Sequence, residues 1–298
     1  MRIGRPTTEQ RNPRTRGIDL QPTREILRML NREDAGVARA VARAIPQIAR
    51  AVDAAAAALR SDGRLIYVGA GTSGRLAALD ASECPPTFGV PRGMVIALIA
   101  GGRLALTEAV EGAEDNAAAG ARDLRRVRCT KRDVVAGITA SGRTPYVLGA
   151  LRQARRVGAR TIAITCNRGT PAGRAVEIAI VAETGPEAIA GSTRLKAGTA
   201  QKLILNMLST GAMIRLGRVY DNWMAGVATS NRKLRARAVT LLCEASGASA
   251  TKARRSLTAA GGDLRVALVM RKRGLSRHDA QFALAAADGD LRGALAER

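Results

Sequence analysis

Arg64-Leu65-Ile66-Tyr67-Val68-Gly69-Ala70-Gly71-Thr72-Ser73-Gly74-Arg75 runs directly into Leu76-Ala77-Ala78-Leu79-Asp80-Ala81. The first five residues form an apolar run of strand length, rich in β-formers. Glycines and hydroxyls follow, and then a helical pattern opens. A buried strand that ends in a tight glycine loop at a helix N-terminus presents free N–H groups and the positive end of the helix dipole, which suits an anion. Thr72 and Ser73 add hydroxyl donors. Two readings are open at this point: a phosphate cradle, or a glycine turn imposed by close strand–helix packing. Gly69, Gly71 and Gly74 formally complete G-x-G-x-x-G, but the acidic ribose partner of a dinucleotide fold is missing. The next apolar run, Val95-Ile96-Ala97-Leu98-Ile99-Ala100, leads into Gly101-Gly102-Arg103 instead.

Outward from this stretch, strand and helix signals alternate. Strands are predicted at 64–68, 95–99, 133–138, 160–165 and 177–181, with helices near 73–82, 104–110, 114–126, 144–157 and 196–216. Apolar strands spaced by helices predict an α/β fold with a parallel sheet covered on both faces. Ligands of such sheets gather outside the carboxyl ends of the strands. The third strand delivers a second hydroxyl loop, Thr139-Ala140-Ser141-Gly142-Arg143-Thr144-Pro145, with Pro145 suited to a first helical turn. Two such loops in one sheet fit a single phosphate better than two ordinary caps, with Arg143 as a bidentate partner. A third polar cluster, Gly191 to Lys202, precedes a strongly apolar helix. Either Ser192 or Thr193 caps that helix, or Arg194, Lys196 and Lys202 reach the substrate; both readings are open.

The rest of the chain is less informative. Residues 1–20 read as an extended polar arm. Thr23 is the expected N-cap of a short amphipathic helix, and a longer apolar-patterned segment from about 35 to 59 takes Pro46 as a kink or a break. Beyond about Asn231 the pattern is all helical, and Leu257–Leu268 recurs as Leu284–Leu295: helix, glycine turn, then a helix expected to be capped by aspartate. The expected organisation is an N-terminal arm with helices over 1–53, a sugar-phosphate-binding domain over 54–220 and a small helical domain over 235–298.

At 298 residues the chain can hold one large core and a small second domain. No apolar run reaches membrane-spanning length and no signal peptide is visible, so a cytoplasmic protein without membrane contact is expected. Cys84, Cys129, Cys166 and Cys243 show neither metal-ligand nor disulfide spacing. His278 is the only histidine, so acid–base chemistry in the main domain falls to other groups. The net charge of +23 comes from basic residues scattered along the chain, of which only six are lysines, and aromatics make up 2%. That pattern lacks base-stacking platforms and argues against a nucleic-acid partner.

Two carboxylates stand near the loops. Glu83 lies in Leu79-Asp80-Ala81-Ser82-Glu83-Cys84-Pro85-Pro86, at the end of the first loop's helix, and Glu114 lies in Glu111-Gly112-Ala113-Glu114-Asp115-Asn116. Taken alone, the first reads as a solvated helix end and the second as a carboxylate favouring a helix dipole.

Together, Thr8–Asn12, Val68–Leu76, Leu79–Pro91, Ala109–Asn116, Ala140–Val147 and Gly191–Met207 resemble the N-acetylmuramic acid 6-phosphate etherases of the sugar isomerase (SIS) superfamily. These stretches are spread across nearly all of the first 230 residues, in the family's order. The resemblance implies a SIS-type sheet and a small C-terminal bundle similar to a ubiquitin-associated domain. It implies a carbon–oxygen lyase that cleaves the D-lactyl ether of N-acetylmuramate 6-phosphate with water, acting in cell-wall amino-sugar recycling. It further implies no metal or organic cofactor and a homodimer. By motif, Glu83 is the proton donor and Glu114 the base, and Thr72, Ser73, Ser141, Gly142 and Thr144 bind the phosphate. Departures are small: Ala77-Ala78 and Ala136 stand where the family has other small or aliphatic residues. The rival reading is a non-catalytic sugar-phosphate sensor of the same fold, disfavoured by the retention of both glutamates. Phosphosugar isomerases of the superfamily are not expected to carry these two acidic stretches, and residues 1–50 show no helix-turn-helix of a DNA-binding regulator.

Overall fold

The computed structural model describes residues 6–227, 229 and 232–296. Two compact units are present: one comprises the residues up to Ser82 and Val95–Ser209, the other Glu83–Met94 and the chain from Thr210 onward.

The first unit is built on five parallel strands: β1 (Leu65–Gly69), β2 (Val95–Ile99), β3 (Val134–Ile138), β4 (Arg160–Thr165) and β5 (Ile178–Val181). Their order is β2-β1-β3-β4-β5. The chain leaves β1 outward to β2 and then crosses back to β3, so β1 and β3 are neighbours, with Gly69 opposite Ile138. That reversal of direction is where such sheets leave a crevice for ligands. Strand side chains alternate between the faces. Ile66, Val68, Val135 and Ala163 pack on Tyr146, Val147, Ala150 and Leu151 of α6 (Pro145–Arg156) and on Leu124 of α5 (Ala117–Arg126). On the other face Tyr67 donates its hydroxyl to Asp80 of α4 (Gly71–Phe88) at 3.0 Å, and Asn206 and Ser209 of α8 (Lys196–Arg215) donate to the same buried carboxylate. The α/β reading with helices on both faces holds.

The local differences have plain causes. Thr23 does not cap its helix: α1 (Thr23–Asp34) begins after Pro22, and no side chain bonds its first turn. The segment from 35 to 59 is two helices, α2 (Val37–Ala42) and α3 (Ile45–Arg60), because Pro46 sits in the first turn of α3, where its missing N–H costs nothing. The expected helix at 104–110 is a 3-10 turn, Gly102–Leu106. The arm is not extended. It folds into three 3-10 turns, and Thr8, Asn12 and Thr15 are buried. A short helix, α7 (Pro171–Arg174), follows β4.

The second unit contains α9 (Arg232–Ser246), α10 (Ala250–Ala259), α11 (Leu264–Arg273), α12 (Arg277–Ala286) and α13 (Leu291–Leu295) around one apolar core. The internal repeat is structural as well as sequential. Asp263 accepts from the N–H groups of Arg265 and Val266 at the start of α11, and Asp290 from those of Arg292 and Gly293 at the start of α13. Among the described residues no helix is long and apolar enough to cross a membrane.

Candidate active site

The loops that follow β1 and β3 are adjacent because their strands pair. In the first, α4 begins at Gly71, immediately after the strand. The N–H groups of a helix's first turn have no acceptor within the helix. The close-packing reading also applies here: a Cβ at Gly74 would stand 2.5 Å from Cγ1 of Ile99 in β2. Glycine at 74 therefore lets the helix lie against the sheet, and Thr72 and Ser73 are carried with it. Ser73 is buried and donates to Oε1 of the buried Gln201 at 2.8 Å.

The second loop is more open. Thr139 Oγ1 lies 2.8 Å from Thr144 Oγ1 and accepts from the Gly142 N–H at 3.2 Å, while Ser141 Oγ accepts from the Arg143 N–H at 3.2 Å. Thr144, the residue before α6, does not cap the helix with its side chain, so the first-turn N–H groups lack that acceptor. Gly142 has φ +68°, and a Cβ there would stand 2.3 Å from Cβ of buried Thr170. Gly142→Ala is expected to cost at least about 1–2 kcal/mol from the left-handed backbone alone. A thermal melt of that variant should show a clearly lower midpoint, and its inorganic phosphate affinity should fall with it.

Glu114 belongs to a 3-10 turn, Ala113–Asp115, ahead of α5. The cap of α5 is Asn116, whose side chain accepts from the Ala119 N–H at 2.8 Å. Glu114 is thereby released from any capping task. Its exposed carboxylate has no hydrogen-bond or ion-pair partner among the described residues. It lines a cavity of about 370 Å³ together with Ser141, Arg143, Thr144, Thr193 and Glu9. It also lines a smaller cavity of about 150 Å³ with Gly71 and Arg75, so Glu114 borders both; Thr72 and Ser73 line neither. Arg75 steadies that side by donating to the carbonyls of Leu106 and Glu108.

Glu83 is placed differently. It is exposed near the C-terminal end of α4, twelve residues past Gly71, about 18 Å along the helix axis. It lines neither cavity.

In the third polar cluster the capping reading fails, and Lys196 is withdrawn from the substrate reading. Neither Ser192 nor Thr193 caps α8. The buried Glu187 does so, accepting from the N–H groups of Lys196 and Ala197 at 2.9 Å each. Lys196 is buried and bonds Glu33 at 2.6 Å, so it is committed to the fold. Arg194 and Lys202 are exposed and line neither cavity. Glu9 escaped the residue-by-residue reading, although Thr8–Asn12 already matched a family motif.

Paired hydroxyl loops at the strand-order reversal of a five-stranded parallel sheet define a sugar-phosphate-binding domain of the SIS class. The family of the glucokinase regulatory protein N-terminal SIS domain matches residues 47–155, and the SIS domain family matches residues 114–210. Among solved structures, a phosphoheptose isomerase from Francisella tularensis is similar in fold, with a TM-score of 0.53 at 20% identity over 65% of this chain and 100% of that one. The N-acetylmuramic acid 6-phosphate etherase of Serratia proteamaculans is 56% identical over 270 residues, 91% of either chain, and that of Cronobacter sakazakii is 55% identical over the same share. The chain belongs to the N-acetylmuramic acid 6-phosphate etherase family.

Proposed function

We propose that the protein cleaves the D-lactyl ether of N-acetylmuramate 6-phosphate with water, giving N-acetylglucosamine 6-phosphate and D-lactate. The observation that carries this reading is Glu114, an unpartnered carboxylate that lines both the cavity of the second hydroxyl loop and the one beside Gly71. The phosphate is held by Ser141, Gly142, Arg143 and Thr144 on one side and by Thr72 and Ser73 on the other. Opening of the sugar ring yields an aldehyde, which acidifies the C2 proton. Glu114 removes that proton, the C3–O bond breaks, and a C2=C3 double bond forms in conjugation with the aldehyde. An acid must protonate the departing lactate oxygen, and two carboxyls in different surroundings can hold the opposite protonation states this needs. Water then returns a hydroxyl to C3 and a proton to C2.

Glu83 is the acid in this scheme. The working form is a homodimer, in which α4 of a second copy can supply the acid. The same reading puts the reaction in the cytoplasm, within cell-wall amino-sugar recycling. Incubation with N-acetylmuramate 6-phosphate, followed by an assay for D-lactate, tests it. Release of D-lactate is expected; tight binding without release would leave the non-catalytic sensor as the correct reading.

A further inference from the structure

The arm before α1 brings a third glutamate to the cavity. Thr7–Glu9 form one 3-10 turn, and its first two residues are clamped from both sides. The Thr7 N–H and hydroxyl donate to Asn167 Oδ1 at 2.8 and 2.7 Å. Asn167 Nδ2 donates onward to the carbonyl of Ala140 at 2.9 Å and to the Thr8 hydroxyl at 3.3 Å. One buried amide thus ties the arm to the residue preceding Ser141. From the opposite side the Gly191 N–H donates to the carbonyl of the fully buried Thr8 at 3.1 Å.

Glu9 follows this clamp, so its backbone is fixed while its half-buried side chain lines the 370 Å³ cavity. Among the described residues nothing donates to its carboxylate. Residue 191 also leaves it room: a Cβ on Gly191 would stand 3.0 Å from Glu9 Oε2. The fold therefore holds a carboxylate in the cavity that Glu114 also lines and gives it no internal donor. Arg143 lines the same cavity but does not bond Glu9, so the acceptors of Glu9 are left for a ligand that brings donors. A phosphate cannot be that ligand, because it carries only negative charge there, whereas the hydroxyls of a sugar chain are donors. The cavity thus offers the hydroxyls of the second loop to a phosphate and Glu9 to a donor such as a sugar hydroxyl.

We propose that Glu9 is a sugar-binding residue of this site, whose carboxylate accepts hydrogen bonds from substrate hydroxyls and sets the carbon chain for proton removal by Glu114. The proposal rests on the function argued above, and its test separates the two. Substrate affinity is measured by calorimetry and by turnover, in the full-length protein. Glu9→Ala should raise the Kd and KM for N-acetylmuramate 6-phosphate about 10- to 100-fold, the range for hydrogen bonds to a charged group. kcat should fall by less than KM rises. Binding of inorganic phosphate should not weaken, because Glu9 does not touch the phosphate loops' ligand. Asn167→Ala frees the arm and should also raise KM. Glu9→Ala combined with Asn167→Ala should be no worse than the stronger single variant, since both remove the same contact. A folded Glu9→Ala protein with wild-type Kd overturns the proposal, and so does one that loses inorganic phosphate binding in step with sugar-phosphate binding. A wild-type protein that binds the sugar phosphate but releases no lactate refutes the reaction, and the affinity comparison still decides the role of Glu9.

Discussion

Glu114→Gln is expected to lower D-lactate release by roughly 10²- to 10⁴-fold, the usual contribution of a general base, and to abolish exchange of the C2 proton with solvent. The substitution is isosteric and falls on an exposed side chain without a protein partner among the described residues, so the fold should be intact. Glu83→Gln should behave differently. It removes the acid but leaves the base, so the C2 proton should still exchange while lactate release falls to a similar extent. The two readouts, deuterium uptake at C2 and lactate appearance, separate the roles. Exchange persisting in Glu114→Gln, or vanishing in Glu83→Gln, would reverse the assignment. Mixing the two inactive variants provides a further check on the second copy. If Glu83 acts across a dimer, subunit exchange rebuilds intact sites and part of the activity returns; if it acts within its own chain, no activity returns.

The largest effect on stability should come from Glu33→Gln. Glu33 is buried and accepts from Lys196 at 2.6 Å, from Arg14 at 2.6 and 3.0 Å and from Asn12 at 2.7 Å. Lys196 is itself buried, so removing the carboxylate strands an ammonium group away from water. Losing one partner of a buried pair costs about 3–5 kcal/mol, which urea or thermal unfolding would register directly. The double variant Glu33→Leu, Lys196→Met should recover much of that loss, because no charge is then buried alone. The same group predicts a pH dependence. Burial would raise the Glu33 carboxyl, but the hydrogen bonds from Arg14, Lys196 and Asn12 outweigh it and hold it at about 2 against an ordinary 4.5. A depressed folded-state value means the contribution is complete above about 4.5 and is lost as pH falls from there towards 2. Glu33→Gln should flatten the acid limb of the stability curve over that interval, and an unaltered limb would contradict the assignment.

Much of the first unit was legible in the sequence. Its strands are short apolar runs bounded by turn residues, and each observed strand lies within about a residue of its expected bounds. Parallel strands buried on both faces have little choice but to read this way. Both hydroxyl loops were legible for the same reason, since glycine and hydroxyl residues at a strand–helix junction are a local signal. Helix α4 runs past its expected end at 82, through Pro85 and Pro86 to Phe88. Each proline lacks the N–H that would bond the carbonyl four residues back, so the last turn carries fewer bonds, but the Pro85 carbonyl still accepts from the Gly89 N–H. What sequence pattern could not show is contact between distant parts of the chain. Lys196 reads as a free cation beside a glycine loop, yet its partner is Glu33, 163 residues away. The polar arm reads as solvated, yet Asn167 holds it from 160 residues away. No periodicity or spacing encodes such pairings, and with them went the position of Glu9.

The clamp around Asn167 has a practical consequence. The Thr7 and Gly191 amide protons are each held by a single bond that exists only while the arm is seated. Their hydrogen-exchange rates therefore report the seating of the arm in solution, residue by residue, without any label. A sugar phosphate that bridges Glu9 and the hydroxyl loops would slow both rates together, turning two backbone protons into a direct gauge of occupancy.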